Sequence, residues 1–246
     1  MTNCIEIKGL CKSYGDFALK NINLTLPGGS ILGLIGENGA GKTTTIKCIL
    51  NLIHRDAGEI TLLGYDNIRE ERLAKQDIGL VLDECFFHDT LRPLDVGKIL
   101  APAYREWDQK LFRDYLGKFG LPEKKLIKEF SRGMKMKLSL SAALAHRPKL
   151  LILDEATAGL DPVVRDEILD EFLGFIQDED HAILMSSHIT SDLEKVADYI
   201  AYIHQGQVVL SDAKDNILDS YGRVGCTAGQ LEAIDPRDVL RVRRGS

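Results

Sequence analysis

Short apolar runs bounded by turn residues alternate with helical patterns along most of this chain. ILGLIG (31–36), DIGLVLD (77–83), KLLILD (149–154), HAILMSS (181–187) and YIAYIHQG (199–206) are near-continuous runs of Val, Ile and Leu. Runs of that kind suit strands covered on both faces, as in a parallel sheet. IEIKGL and INLTL near the start alternate instead, the pattern of a half-exposed antiparallel layer. Between Asp83 and Leu150 the strand pattern stops. Residues 95–105, 108–119 and 133–146 read there as helices, punctuated by Pro93, Pro102, Gly120 and Pro122. The expectation is one α/β domain over 1–220 with a largely parallel sheet, an N-terminal antiparallel β layer and a helical subdomain inserted at about 85–147. From about Tyr221 the pattern weakens; 221–246 is a short extension ending in the basic tail RVRRGS, to which no role is assigned.

Composition narrows the class of partner. The 246 residues are ample for a sizeable core, and 31 Lys and Arg against 37 Asp and Glu give a net charge of −6. That mild acidity argues against general nucleic-acid binding. Cys4, Cys11, Cys48, Cys85 and Cys226 are odd in number and contain no CxxC, so neither a disulfide framework nor zinc spacing is expected. The N-terminus lacks a signal-peptide pattern, and no apolar run approaches the roughly 20 residues that span a bilayer. A cytosolic chain is expected, with any membrane role exercised through a partner.

Residues 36–43, GENGAGKT, match G-x-x-x-x-G-K-[ST] through Gly36, Gly41, Lys42 and Thr43. The strand ILGLI precedes them and a helix, KTTTIKCILNLI, follows, with Ile46, Ile49, Leu50 and Ile53 along one apolar face. Gly36, Gly39 and Gly41 let the backbone turn tightly so that its N–H groups, through Asn38, Ala40 and Thr44, converge on phosphate oxygens at a positive helix end. Lys42 supplies a point charge to the β- and γ-phosphates, and the Thr43 hydroxyl is a Mg²⁺ ligand. The pattern predicts a P-loop NTPase core that binds a nucleotide with Mg²⁺.

Asp154 and Glu155 leave the strand KLLILD together, and two carboxylates at a buried strand end are costly unless they meet a cation or donors. Asp154 is expected to hold Mg²⁺, directly or through water. Glu155 is expected to act as general base, or to orient the water that attacks the γ-phosphate. His188 ends the strand ILMSSH and begins a helix, a position suited to touching the γ-phosphate. A further stretch, EFSRGMKMKL (129–138), opens a helix poorly: Ser131 is a good N-cap, but Gly133 costs about 1 kcal/mol against alanine.

These pieces, in this order, resemble the ATP-binding subunit of ABC transporters from residue 4 to about 220. GENGAGKT looks like the Walker A motif, LLILDE like Walker B, AGLD ending in Asp161 like the D-loop, and His188 like the switch histidine. FSRGM (130–134) occupies the place of the signature LSGGQ. The resemblance implies that two subunits, either two copies of this chain or this chain and a sister, pair head to tail. Ser131 and the Gly133 N–H of each would then close over ATP held by the other. It also implies a membrane-spanning permease partner and a location at the inner face of the cell membrane. Tyr14, in KSYGDFAL, falls where the family places a ring that stacks on adenine; the alternative is an ordinary edge-strand tyrosine.

Two departures stand out. Arg132 replaces the signature's first glycine and Met134 its glutamine, a variant similar to ABC-2-type exporters; Arg132 would add charge near the phosphates or point into solvent. In IGLVLDECFF (78–87) the family's glutamine is missing, and Asp83 or Glu84 takes its place near Mg²⁺ and the attacking water. Phe86 and Phe87 follow, as a socket for the permease or as core of the helical insertion. A related ATPase acting on ribosomes or nucleic acid would carry two such domains or long coiled-coil insertions, and a small-molecule kinase would leave FSRGM and AGLD unexplained.

Overall fold

The apolar run 150–154 forms a strand in which all five residues are buried, next to one edge strand of a six-stranded sheet. The computed structural model describes every residue except Met1, Arg223, Glu232, Arg237, Asp238, Leu240, Arg241 and 243–246, so most of the basic tail lies outside the described residues. The larger sheet contains β3 (Ser30–Ile35), β6 (Ile78–Val81), β7 (Leu150–Asp154), β8 (Ala182–Ser187), β9 (Tyr199–His204) and β10 (Gln207–Ala213) in the order β10-β9-β3-β8-β7-β6. All its pairs are parallel except β9 with β10. The smaller sheet holds β1 (Asn3–Tyr14), β2 (Phe17–Pro27), β4 (Ala57–Leu62) and β5 (Tyr65–Asp66), all antiparallel. The largely parallel sheet and the N-terminal antiparallel layer are therefore both present.

The period-2 pleat of the strands divides the interior into two cores. Leu150 and Ile152 point into one, with Leu32, Leu34, the inner face of β1 and β2, and Ile46 and Ile49 of α1 (Lys42–Ile49). Leu151 and Leu153 point into the other, with Ile183 and Met185. That second core is closed by α3 (Pro93–Leu100), α4 (Gln109–Lys118) and α5 (Arg132–Leu144), all between β6 and β7, and by α6 (Pro162–Phe175) and α7 (Thr190–Val196). A short α2 (Glu71–Ala74) precedes β6. The chain divides into two compact units, Met1–Lys214 and Asp215–Ser246; the second holds most of α8 (Lys214–Ser220) and all of α9 (Ala228–Leu231).

Local chemistry moves some boundaries. The helix after the phosphate loop stops at Ile49 because Asn51 turns into the left-handed region at φ 53°, although Ile53 still packs on the core. The helix expected from 95 starts at Pro93, whose fixed φ suits a first helical position, and tightens to a 3-10 turn at Ala101–Ala103. β10 was not legible as a strand: it is an edge strand of alternating exposure, made by a two-residue turn in which Gln205 and Gly206 both have positive φ.

His146, 1% exposed, docks the helical insertion onto the sheet. Its Nε2 donates to the carbonyl of Ile78 at 3.1 Å, and its ring stacks on Tyr104 at 3.9 Å. Burial lowers its pKa below the ordinary imidazole value, outweighing the Ile78 carbonyl and Asp77, which pull the other way. The unfolded chain therefore takes up a proton near pH 6.5 that the folded chain resists, so folding stability falls as pH drops through that value. Chemical unfolding followed between pH 7.5 and 5.5 should show a steeper acid loss for the parent than for His146→Phe, which cannot titrate; equal slopes would remove His146 as the cause.

Candidate functional site

Parallel pairing sets the site. β3 runs beside β8 with Ile35 opposite Ser187, and β7 beside β8 with Asp154 opposite Ser186. The residues that follow these strands therefore emerge along one carboxyl edge, where open α/β sheets bind ligands. Gly36 follows β3, Glu155 follows β7 and His188 follows β8. β6, parallel to β7 with Val81 opposite Leu153, brings Asp83 and Glu84 to the same edge.

The loop from Gly36 to Gly41 turns over the start of α1, with Gly39 at φ 82° and Gly41 at φ 118°. A methyl group on Gly41 would lie 2.6 Å from Leu19 Cδ2 and 3.0 Å from Phe17 Cζ, so both conformation and packing demand glycine there. The turn after β9 braces the loop from behind, Gly206 N–H donating to the Ala40 carbonyl at 3.0 Å. No side chain caps α1, and its first turn carries no acid. Its leading N–H groups and the Thr43 and Thr44 hydroxyls are thus left to an anion.

Lys42 is buried, and its Nζ donates to the Gly36 carbonyl at 2.7 Å and the Glu37 carbonyl at 3.4 Å. The same Nζ lies 3.3 Å from Glu155 Oε1, in ion-pair range but off hydrogen-bonding alignment, and that buried oxygen has no hydrogen bond. Glu155 Oε2 lies 2.6 Å from His188 Nδ1. Lys42, Glu155 and His188 therefore form one line of contacts from the phosphate loop to the end of β8.

Glu155 is held at φ 52°, a left-handed conformation costing a non-glycine residue roughly 1–2 kcal/mol. Its N–H donates to the Ser186 carbonyl at 3.2 Å and to Ser186 Oγ at 3.0 Å. The Ser186 hydroxyl in turn donates to Asp154 Oδ1 at 2.5 Å. Ser186 was not singled out from the sequence, though a serine inside an otherwise apolar buried strand is the signal that marks it. Ser187 does the same for the next turn, its Oγ accepting from the Ile189 N–H at 2.9 Å and fixing His188.

The remaining expected residues fall in three places. Tyr14 is 46% exposed at the β1–β2 hairpin, opposite Phe17, with Lys12 Nζ 5.0 Å above its ring. Asp83 and Glu84 are exposed and have no hydrogen-bond or ion partner among the described residues. Phe86 is 72% exposed while Phe87 packs into the helical core, so the core alternative holds for Phe87 alone. Ser131 caps α5, its Oγ accepting from the Met134 N–H at 3.2 Å, and Asp161 caps α6, accepting from the Val164 N–H at 3.1 Å. Neither Ser131 nor Gly133 is hydrogen-bonded to the phosphate loop, Glu155 or His188 among the described residues. Arg132 is exposed, and its guanidinium packs against Gly159.

Residues 19–158 match the family described as ABC transporter. The chain belongs to the ABC transporter family. It is similar to the lantibiotic transport ATP-binding protein SrtF of Streptococcus pyogenes, 36% identical over 86% of this chain and 91% of that protein. It is also similar to the linearmycin resistance ATP-binding protein LnrL of Bacillus subtilis (strain 168), 35% identical over 89% of this chain and 72% of that one. A solved ATP-binding subunit of an ABC transporter superposes with TM-score 0.81 at 26% identity, covering 94% of this chain and 98% of the other. As an ABC ATPase subunit, the chain binds and hydrolyses ATP to drive transport through a membrane-spanning partner.

The site fits ATP and Mg²⁺ on its own terms. The uncapped α1 start and buried Lys42 suit phosphate. Among the described residues no group of three or more His, Cys, Asp or Glu could enclose a metal. Mg²⁺ is ordinarily held by one or two protein oxygens together with substrate phosphates, which Thr43 and Asp154 can supply. Removing the hydroxyl in Ser186→Ala leaves buried Asp154 short of its donor. That variant should lose about 1–3 kcal/mol of stability and also lose turnover. Thermal unfolding and a phosphate-release assay read the two effects; a variant matching the parent in both would show that Ser186 does not hold the carboxylate.

Proposed function

We propose that this chain powers export of a peptide or antibiotic-like compound through a separate permease, as one of two ATPase subunits closing head to tail over two Mg-ATP. The Lys42–Glu155–His188 line at the carboxyl edge carries the reading, because it joins the phosphate-binding cation to a carboxylate placed for proton transfer. The names of SrtF and LnrL, which concern a lantibiotic and linearmycin, support the cargo class. No helix among the described residues is long and apolar enough to cross a membrane, which fits a subunit peripheral to a membrane-spanning partner.

In this reading the N–H groups of the Gly36–Thr44 loop, with Asn38, Gly39, Ala40 and Gly41, cradle the phosphates, and Tyr14 stacks on adenine. Lys42 leaves Glu155 for the β- and γ-phosphates, to which its charge is better matched. Thr43 and Asp154 would hold Mg²⁺, which when bound would offset phosphate charge. Glu155 accepts a proton from the attacking water while His188, bonded through Nδ1, keeps the carboxylate aimed. Asp83 orients that water and leads to exposed Phe86, which offers the permease an apolar contact. Ser131 and Gly133 meet the other subunit's γ-phosphate at the N-terminus of α5, and Asp161 lies at the same subunit boundary.

Glu155→Gln should lower kcat roughly 10²–10⁴-fold while ATP affinity holds, and an ATP-bound dimer should accumulate on gel filtration. Near-parental hydrolysis in that variant would remove Glu155 as base. Lys42→Ala should weaken nucleotide binding roughly ten- to a hundredfold in an equilibrium titration, the loss of a charge-assisted contact. For the function as a whole, the chain tagged in its own cell and gently solubilised should bring down a polytopic membrane protein in stoichiometric amount. Ribosomal partners without any membrane protein would overturn the transport reading and leave the ATP chemistry intact.

A further inference from the structure

The arginine that departs from the family signature has a definite place within its own chain. A methyl group on Gly159 would stand 2.9 Å from Arg132 Nη1, 3.1 Å from Cζ and 3.4 Å from Nε. Three atoms of the guanidinium at such similar distances mean that its flat face covers the Gly159 Cα. Guanidinium faces are weakly hydrated and suit that contact, whereas a lysine ammonium does not. Arg132 makes no hydrogen bond or ion pair among the described residues, so this packing is what locates it. Gly159 itself is at φ 67°, a conformation that already calls for glycine.

The loop beneath that guanidinium leads directly out of Glu155. The Ala158 N–H donates to the Glu155 carbonyl at 3.0 Å, and the Leu160 side chain is buried. From α6, Arg165 donates from Nη2 to the Leu160 carbonyl at 3.2 Å. The same guanidinium places Nη1 3.7 Å from Asp192 Oδ1 on α7, the helix that begins just after His188. Two arginines from two helices therefore hold residues 158–161, one by stacking and one by hydrogen bonding. α5 and α6 also meet at their starts, where a methyl on Gly133 would lie 3.2 Å from Val164 Cγ1.

We propose that Arg132 is a positioning residue for hydrolysis, which through Gly159 fixes the 158–161 loop and with it the aim of the Glu155 carboxylate. This deepens the assignment of Glu155 as base and rests on it. It also means that the α5 end meeting the other subunit's nucleotide is fastened to the loop that carries this chain's own base. Catalytic geometry tolerates little error, so loosening the loop should slow the chemical step while the affinity of a single subunit for nucleotide, set by its own Lys42 loop, holds.

The test compares Arg132→Lys, which keeps the charge but not the planar face, with Arg132→Gly, which restores the family residue. Both should lower kcat roughly three- to tenfold while KM for ATP and equilibrium nucleotide affinity stay near parental. Both should shift the Gly159 amide resonance, which reads the contact without reference to catalysis. Parental kcat in Arg132→Lys together with loss in Arg132→Gly would overturn the proposal in favour of a role for charge alone, and so would a stationary Gly159 signal. Glu155→Gln in the same assay separates the two ideas. If it is inactive while Arg132→Lys is parental, the base stands and the positioning role falls. If it stays active while both Arg132 variants slow and shift Gly159, the base assignment falls and the loop-positioning role stands.

Discussion

The parallel pairing of β8 with both β3 and β7 is the constraint on which the site depends. A parallel register sends every strand in the same direction, so the chain segments leaving β3, β7 and β8 must emerge side by side. An antiparallel arrangement would have sent Glu155 or His188 to the opposite edge from Lys42. Parallel strands need long crossovers with apolar cover on both faces, and the two cores supply it. The first is closed by the antiparallel layer and α1, the second by the helical insertion with α6 and α7. The apolar architecture thus serves to place a few polar residues within reach of one another.

Those polar residues are then held against their own tendencies. Asp154 is 3% exposed, and an ionised carboxylate so placed needs a donor; Ser186 provides one and also accepts from the Glu155 N–H. Glu155, whose N–H is shared between the Ser186 hydroxyl and carbonyl, sits there in a left-handed conformation. The carboxylate is consequently delivered between Lys42 and His188, with one oxygen bound and the other unbonded. An unbonded buried oxygen beside a phosphate-binding loop is an acceptor in reserve, as proton transfer from water requires.

Much of this was legible in the residues. The glycine spacing of 36–41, the carboxylates at the end of LLILD and the histidine at the end of ILMSSH each carry their own physical reason, and all emerge at one edge. The sequence did not show what depends on pairing between distant segments. Nothing local in QVVLSDA marks a strand, because β10 exists only through its pairing with β9. Ser186 looks like an incidental serine until β8 lies beside β7. Asn51 ends α1 by a backbone conformation that no periodicity shows. Phe86 and Phe87 were indistinguishable as adjacent rings, and only the packed helical core separates the exposed one from the buried one.

Arg132 shows the same limit most sharply, since both roles open to it in the sequence looked outward, to phosphate or to solvent. The structure lays its guanidinium, still exposed, against Gly159 of its own chain. A glycine at position 132 would leave the Cα face of Gly159 bare, so the arginine and the signature glycine of other family members cannot be mechanically equivalent. The arginine exchanges backbone freedom at the helix start for a plate that steadies a neighbouring loop. That loop continues from Glu155 and is also hydrogen-bonded, at the Leu160 carbonyl, by Arg165, whose other contact is Asp192 on α7. In a head-to-tail pair, closure on one nucleotide and alignment of the base at the other would then be a single movement of one rigid piece.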